Sequence, residues 1–121
     1  MRRRETGILG ERLAARFLRE RGYTVTETNY RCSEGEADIV ARQGDVLVFV
    51  EVRTRRSLRF GTPEESITAA KKEKLRAVAA CYREEHEDLP ESWRIDVVAV
   101  ELDGAGRPAR MELIENAVVD D

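Results

Sequence analysis

The strongest constraint on the fold is residues 35–55, whose pattern predicts two β-strands joined by one tight turn. Val, Ile and Phe dominate both halves, and Gly44-Asp45 supplies the residue types that a short hairpin turn requires. In the second half, residues 46–50, apolar side chains occupy both faces of the strand. Apolar residues on both faces are typical of a strand inside a sheet. The second strand is therefore predicted to lie in the interior of a sheet and not at its edge.

The position of the turn determines which residues of the two strands face each other. Antiparallel partners have a constant index sum, and a turn centred on residues 44–45 gives a sum of 89. This register places Asp38 opposite Glu51. It also places Glu36 opposite Arg53, and the alternation of side chains along a strand puts all four on one face. A shift of one residue would put Asp38 and Glu51 on opposite faces.

Two carboxylates directly opposite each other need an explanation, because like charges across a strand pair repel. At about 5 Å and an effective dielectric constant of about 20, the repulsion is roughly 3 kcal/mol. A divalent cation would remove it, since Mg²⁺ is usually held by one or two carboxylates while it keeps several waters. Ion pairs are the alternative explanation: Glu36 with Arg53, and Asp38 with another arginine. The spacing alone leaves both explanations open.

Length and composition limit the class of protein. The chain has 121 residues, which fits a single domain over residues 1–121 with a modest core. It has no apolar run that could span a membrane and no apolar stretch after its basic start, so we expect a cytoplasmic protein without a signal peptide. Cys32 and Cys81 are too few for a disulfide framework, and a single histidine, His86, argues against a zinc site.

The net charge of −3 argues against a nucleic-acid partner, but the charges are unevenly distributed. Residues 1–61 carry 13 basic and 9 acidic side chains, whereas residues 62–121 carry 8 and 15. The positive half contains the hairpin and a cluster of arginines, Arg53, Arg55, Arg56 and Arg59. A basic patch around an acidic metal site would suit a phosphodiester substrate. A solvated surface of mixed charge is the alternative.

Periodicity in the rest of the chain predicts two helices and three more strands. Residues 5–21 form a helix that Gly22 ends, and residues 62–85 form a second helix that starts with a capping box from Thr62 to Glu65. The additional strands are predicted at residues 23–31, 93–102 and 110–115. The first of these precedes the hairpin and joins it in a three-stranded meander, and a short acidic tail follows Asn116.

Each predicted helix carries one charged residue on its packed side. Glu11 lies on that side of the first helix, and Gly10 beside it permits close approach of another backbone or of a ligand. The alternative is a glutamate in the first turn that the helix dipole stabilises. In the second helix, Lys71 lies in the apolar stripe between Ile67 and Leu75. It either snorkels to solvent or points its ammonium group towards an anion, and snorkelling is the more usual outcome.

Short motifs extend over nearly the whole chain. They are Gly7-x-x-Gly10-Glu11, Gly22-Tyr23, Asn29-Tyr30-Arg31, Gly35-Glu36-x-Asp38-Ile39-Val40, Phe49-Val50-Glu51-Val52-Arg53-x-Arg55, Phe60-Gly61-x-Pro63-Glu64, Lys71, Arg94-x-Asp96-Val97-Val98 and Asn116-Ala117. Together they resemble the YraN-like family of small bacterial proteins. That family resembles a branch of the PD-(D/E)XK nuclease superfamily and is similar to archaeal Holliday junction resolvases.

The resemblance implies an α/β fold, more narrowly an α+β mixed sheet with a restriction-endonuclease-like α-β-β-β-α-β core in a single three-layer domain. It implies that Glu11, Asp38 and Glu51 hold Mg²⁺ or Mn²⁺. The implied activity is that of an endonuclease which cleaves DNA, branched DNA included, by metal-assisted phosphodiester hydrolysis. A homodimer is compatible with the resemblance, because resolvases are two-fold symmetric. The implied nucleic-acid contacts are Arg53, Arg55, Arg56 and Arg59.

One residue departs from the superfamily pattern. The lysine expected two positions after the glutamate is Arg53, which cannot lose a proton and therefore cannot act as a general base. Arg53 can still bind a phosphate oxygen, and Lys71 is a candidate to replace the lysine. The candidate catalytic residues are therefore Asp38, Glu51, Arg53 and Lys71. The departure keeps two alternatives open: a nucleic-acid-binding module without turnover, and a protein-interaction subunit whose acidic second half docks a basic partner.

Overall fold

The computed structural model describes residues 2–117, so Met1 and the predicted acidic tail at residues 118–121 lie outside the described part. Within it, two helices and five strands follow one another along the chain. Their bounds are Arg3–Glu20 for α1, Thr24–Cys32 for β1, Gly35–Gln43 for β2, Val46–Arg55 for β3, Ala69–Glu85 for α2, Ser92–Leu102 for β4 and Pro108–Ile114 for β5. A single 3₁₀ turn at Glu64–Ser66 precedes α2.

The five strands form one sheet in the order β1-β2-β3-β4-β5. Neighbouring strands are antiparallel except β3 and β4, which run parallel because α2 carries the chain back between them. The predicted meander of β1, β2 and β3 is confirmed, and so is the mixed α+β sheet with its α-β-β-β-α-β order. The last predicted strand also forms, as β5 at one edge of the sheet.

The predicted hairpin register is confirmed. β2 and β3 pair continuously from Ile39 opposite Val50 to Gln43 opposite Val46, and every pair has the index sum of 89. Gly44 makes the turn with a φ of 57°, a left-handed conformation that glycine adopts without strain. β4 is the second neighbour of β3, which explains why both faces of β3 are apolar.

The two helices cover opposite faces of the sheet, so the protein has three layers. Side chains alternate between the faces along each strand, and this sorts the buried residues into two cores. Ile39 belongs to the core under α1, together with Leu18, whereas its neighbour Val40 belongs to the core under α2, together with Leu75. No helix among residues 2–117 has an apolar stretch long enough to cross a membrane.

The first helix begins at Arg3, two residues before its predicted start, and ends as predicted. Arg21 is the C-cap, and Gly22 follows it with a φ of 87°. Because the helix begins at Arg3, Glu11 lies about two turns inside it. The alternative in which Glu11 is a first-turn residue stabilised by the helix dipole is therefore wrong.

The predicted start of the second helix at Thr62 is wrong. The capping box does form, since the Glu65 N–H donates to Thr62 Oγ1 at 3.4 Å and the Thr62 N–H donates to Glu65 Oε1 at 3.2 Å. However, it caps only the 3₁₀ turn, because Ile67 is extended and ends that turn. α2 begins after this break, where Thr68 is the N-cap and accepts a hydrogen bond from the Lys71 N–H at 3.1 Å. Ile67, predicted in the apolar stripe of the helix, lies outside it.

Candidate active site

Two buried acidic residues lie where the β2–β3 ladder stops. The ladder ends at Ile39 and Val50, and beyond it the Val52 N–H donates to Asp38 Oδ2 at 2.7 Å. Asp38 is 9% exposed and Glu51 is 4% exposed. Their carboxyl groups lie within hydrogen-bonding reach of each other. The structure therefore brings together the two acids that the register placed opposite each other.

Helix α1 brings a third acid to this pair because it passes close to β3. A Cβ atom on Gly10 would lie 1.9 Å from Thr54 Oγ1, so only a glycine permits this approach. Glu11, the next residue, is half-buried and lies within hydrogen-bonding reach of Asp38. The three acids predicted to hold a metal ion thus converge from α1, β2 and β3.

Burial and the neighbouring charges raise the pKa values of two of these acids, Asp38 and Glu11. Burial, and after it the charge of the adjacent Glu51, raises the pKa of Asp38 to about 9, although the hydrogen bond from the Val52 N–H acts in the opposite direction. Burial also raises the pKa of Glu11. The charges of Glu36 and Glu51 add to that rise, and the hydrogen bond with Asp38 opposes it. The site therefore resists carrying three negative charges at once.

Asp96 is a buried carboxylate with a structural role, and its oxygens have hydrogen-bond donors from three residues. It is fully buried, and it accepts hydrogen bonds from Arg94 Nε at 2.9 Å, from the Tyr23 hydroxyl at 3.0 Å and from the Asn116 N–H at 2.9 Å. Arg94 thus supplies the counter-charge of Asp96. Asp38 is nearly as buried, but its partners are a backbone N–H and two further acids rather than an arginine. This difference separates Asp38 from a structural carboxylate.

Two cations reach Glu51 from different elements. Arg53 Nη2 lies 2.9 Å from Glu51 Oε2, and Lys71 Nζ lies 3.4 Å from the same oxygen. Lys71 therefore points its ammonium group from α2 towards an anion, and the snorkelling alternative does not hold. Arg53 Nε is buried and has no hydrogen-bond partner among the described residues. A buried N–H without a partner costs stability, because it has lost its hydrogen bonds to water and gained none in the protein.

Glu36 does not join these ion pairs. The predicted pair of Glu36 with Arg53 is wrong, because Arg31 Nε lies 2.9 Å from Glu36 Oε2 and Arg53 turns to Glu51. The physical reason lies in the sheet. β2 remains paired with β1 to its first residue, so Glu36 lies opposite Arg31, whereas the ladder of β2 with β3 has already ended at Ile39.

A cavity of about 600 Å³ opens over the acids. Its lining includes Glu11 and Asp38. It also includes the arginines Arg3, Arg53, Arg55 and Arg56. Three of the four arginines predicted to contact nucleic acid therefore share one cleft with two of the predicted metal ligands. The guanidinium of the fourth, Arg59, lies 5.6 Å from the ring centre of Phe60, and Phe60 also lines the cavity.

Two residues of this cleft are not among those predicted from the sequence. Arg3, Gly7 and Glu11 are spaced by four residues and all line the cavity, so helical periodicity traced back from Glu11 was the signal for Arg3. For Phe60 the signal was an aromatic residue beside a run of arginines, a combination typical of surfaces that bind single-stranded nucleic acid.

The donor set suits a hard divalent cation, although the side chains do not surround one. Carboxylate oxygens are the ligands that Mg²⁺ and Mn²⁺ prefer, and a cation would relieve the repulsion that raises the pKa of Asp38. Within residues 2–117, no three His, Cys, Asp or Glu side chains are arranged so that they could hold a metal ion as they stand. A cation would compete with Arg53 and Lys71 for the Glu51 carboxylate.

Comparison with known proteins gives matches that carry no stated activity. The model of a family described as "Uncharacterised protein family UPF0102" matches residues 10–100, a range that contains every candidate catalytic residue and metal ligand named above. A UPF0102 protein of Moorella thermoacetica is 50% identical over 97% of this chain and 98% of its own length. Another UPF0102 protein, from Dehalococcoides mccartyi, is 47% identical over 96% of this chain and 94% of its own length. A third, from Beutenbergia cavernae, is 51% identical over 88% of this chain and 89% of its own length.

Proposed function

We propose, for a chain that belongs to the UPF0102 family, that the function is metal-dependent hydrolysis of phosphodiester bonds in DNA. This is the YraN-like family that the sequence motifs resemble. Kinship with the PD-(D/E)XK nucleases and with Holliday junction resolvases is part of the proposal, and so is a preference for branched DNA. The observation that carries it is the convergence of three acids from three elements in a cleft lined with arginines.

The acids are the residues that would hold Mg²⁺ or Mn²⁺: Glu11, Asp38 and Glu51. A bound ion would lower the pKa of a water molecule and neutralise charge on the scissile phosphate. Asp38 and Glu51 are held in place before any ligand arrives, Asp38 by the Val52 N–H and Glu51 by two cations. Preorganised ligands of this kind reduce the reorganisation that binding requires.

Arg53 has a role that its chemistry permits. Its Nη2 holds Glu51 and its side chain lines the cavity, so a non-bridging oxygen of the phosphate can accept a hydrogen bond from the guanidinium. Such a contact stabilises the charge that develops on the phosphate during attack. Arg53 takes no proton from water, because a guanidinium stays charged in proteins. Lys71 complements it as a second positive charge at Glu51.

One observation favours a second candidate function, DNA binding without hydrolysis. Glu51 already has both Arg53 and Lys71 as partners, so part of the negative charge that would attract a cation is neutralised by the protein itself. Under this alternative the acids keep the arginines of the cleft in place, and the cleft binds phosphates electrostatically. The two candidates differ in whether a strand is cut.

The test is a cleavage and binding assay on linear duplex, nicked duplex and four-way-junction DNA, with Mg²⁺, with Mn²⁺ and with EDTA. We expect cleavage that EDTA and Asp38→Asn abolish and that Glu20→Gln retains. Glu20 is the control, because it is an exposed acid at the end of α1 that pairs with Arg16 and not with the acids of the site. Binding that weakens with salt but never leads to cleavage would favour the second candidate. Absence of any binding would refute both and would leave a protein-interaction role.

A further inference from the structure

One aromatic ring of the cleft is exposed to solvent. Phe60 is 82% exposed, and Leu58, two residues before it, is 53% exposed. Single exposed apolar side chains are common on protein surfaces, so exposure alone carries no functional meaning. Phe60 differs in its position, because the same ring lines the cavity that holds Glu11 and Asp38 and has the Arg59 guanidinium beside it.

The turn that presents this ring is held by hydrogen bonds. The Gly61 N–H donates to the Leu58 carbonyl at 3.1 Å, which closes a turn around Phe60, and Gly61 has a φ of 99° that suits only glycine. The Arg59 N–H donates to Ser57 Oγ at 3.2 Å. A ring on an anchored turn offers its face to a ligand with little further loss of conformational freedom.

The 3₁₀ turn that follows is tied to the far edge of the sheet. Arg110 of β5 donates to Glu64 Oε2 at 2.5 Å, and it is also paired with Glu101 and Glu112. The Thr62–Glu65 capping box contains this anchor and begins two residues after Phe60. The segment between β3 and α2 is therefore tied to the sheet on the C-terminal side of the aromatic ring.

We infer, on the basis of the proposed function, that Phe60 is a stacking platform for an unpaired base, so that the substrate of the cleft is DNA with unpaired bases beside the scissile phosphate. Proteins that bind single strands combine a positive groove for the phosphates with aromatic rings on which bases stack. The cleft has both parts. In an intact duplex the faces of the bases are covered by their neighbours, so a ring at the mouth of the cleft reaches a base face only where pairing is interrupted.

Charge favours a nucleic acid over a second copy of the chain as the occupant. Five arginines accompany the ring: Arg3, Arg53, Arg55 and Arg56 in the cleft, and Arg59 beside it. Two copies meeting at Phe60 would bring these positive groups face to face, whereas a strand of phosphates neutralises them.

The test measures binding in EDTA, where no strand is cut, with oligonucleotides that carry 2-aminopurine, a base whose fluorescence falls on stacking. We expect Phe60→Ala and Phe60→Leu to weaken the binding of single-stranded DNA about tenfold and to remove the quenching. Phe60→Trp should retain both. Leu58→Ala is the matched control, since it removes an exposed apolar side chain from the same turn, and it should change the affinity less than about twofold. Blunt duplex DNA should respond to none of these variants by more than about twofold.

Three results would overturn this inference while leaving the proposed function intact. One is a wild-type protein that cleaves DNA and a Phe60→Ala variant that binds single strands equally well. The other is an equal loss of affinity for single-stranded and duplex DNA, which would make Phe60 part of a general surface. A Phe60→Ala variant that changes only the elution volume in gel filtration would also refute it, because the ring would then be a contact between copies. Failure of the wild-type protein to bind any DNA would instead remove the proposed function.

Discussion

Replacing Asp38 by asparagine should make the metal-free protein more stable. The pKa of Asp38 is raised from an ordinary value of 3.8 to about 9. A carboxyl group with a raised pKa in the folded state contributes stability that is complete below pH 4 and is lost as the pH rises towards 9. At about 1.4 kcal/mol per pH unit, the loss at pH 7 is about 4 kcal/mol in the wild-type protein. Asparagine carries no charge, so it avoids this loss.

Asparagine also preserves the contacts of the site. Its amide oxygen can accept the Val52 N–H, and its NH₂ group can donate to the carboxylates of Glu11 and Glu51. Since the new contacts will not be ideal, we expect a gain of about 2 kcal/mol at pH 7, or an increase in Tm of about 8 °C. The gain should grow between pH 5 and pH 9.

The assay is urea denaturation in EDTA at pH 5, 7 and 9, with Asp96→Asn as the matched control. Asp96 is a buried aspartate with complete partners, so its replacement leaves Arg94 without its counter-charge and should destabilise the protein by about 3 kcal/mol. Mg²⁺ should then stabilise the wild-type protein and have little effect on Asp38→Asn. An Asp38→Asn variant that is no more stable than wild type at pH 7, or a difference that does not change with pH, would refute the reasoning.

Three further predictions concern residues that position or surround the site. Gly10→Ala should destabilise the protein by about 2 kcal/mol in a denaturation experiment, because the added Cβ would overlap Thr54. Gly7→Ala is the control and should stabilise the protein by up to about 1 kcal/mol, since nothing lies within 4 Å of a Cβ at that position. Under the proposed function, Lys71→Ala should lower the rate of DNA cleavage about tenfold or more, and an unchanged rate would exclude Lys71 as a catalytic residue. Thr68→Ala should lower the free energy of unfolding by about 1 kcal/mol through loss of the N-cap, and an effect below 0.3 kcal/mol would contradict the assigned helix start.

The sheet could be predicted from the sequence because its signals are local. Residues 44–45 fix the turn, and a period of two then assigns every side chain of β2 and β3 to a face. That information was sufficient to predict that Asp38 and Glu51 lie side by side on one face of the sheet. It was not sufficient to choose partners for the arginines, because Arg31 and Arg53 both lie on strands next to β2, and the choice depended on where each ladder stops.

The start of α2 could not be predicted because two threonines offer competing caps. Thr62 has the stronger local signal, with proline after it and glutamate at the third position, and its capping box does form. The 3₁₀ turn that this box caps is also held by the ion pair between Glu64 and Arg110, which are separated by 46 positions in the chain. A contact so distant in sequence leaves no trace in local propensity, and it fixes the segment that presents Phe60.

Arg53 and Lys71 are best understood together, because both lie beside the same oxygen of Glu51. Under the proposed function, the cations at this site have to bind the substrate and also balance the charge of the acids. Two residues balance the charge of Glu51: Arg53 from the same strand and Lys71 from α2. Arg53 contacts Glu51 through Nη2 and also lines the cavity, so under the proposed function the same guanidinium can contact the substrate. Arg53→Lys and Lys71→Ala should therefore be non-additive in any assay of the site, because both act through the same carboxylate oxygen.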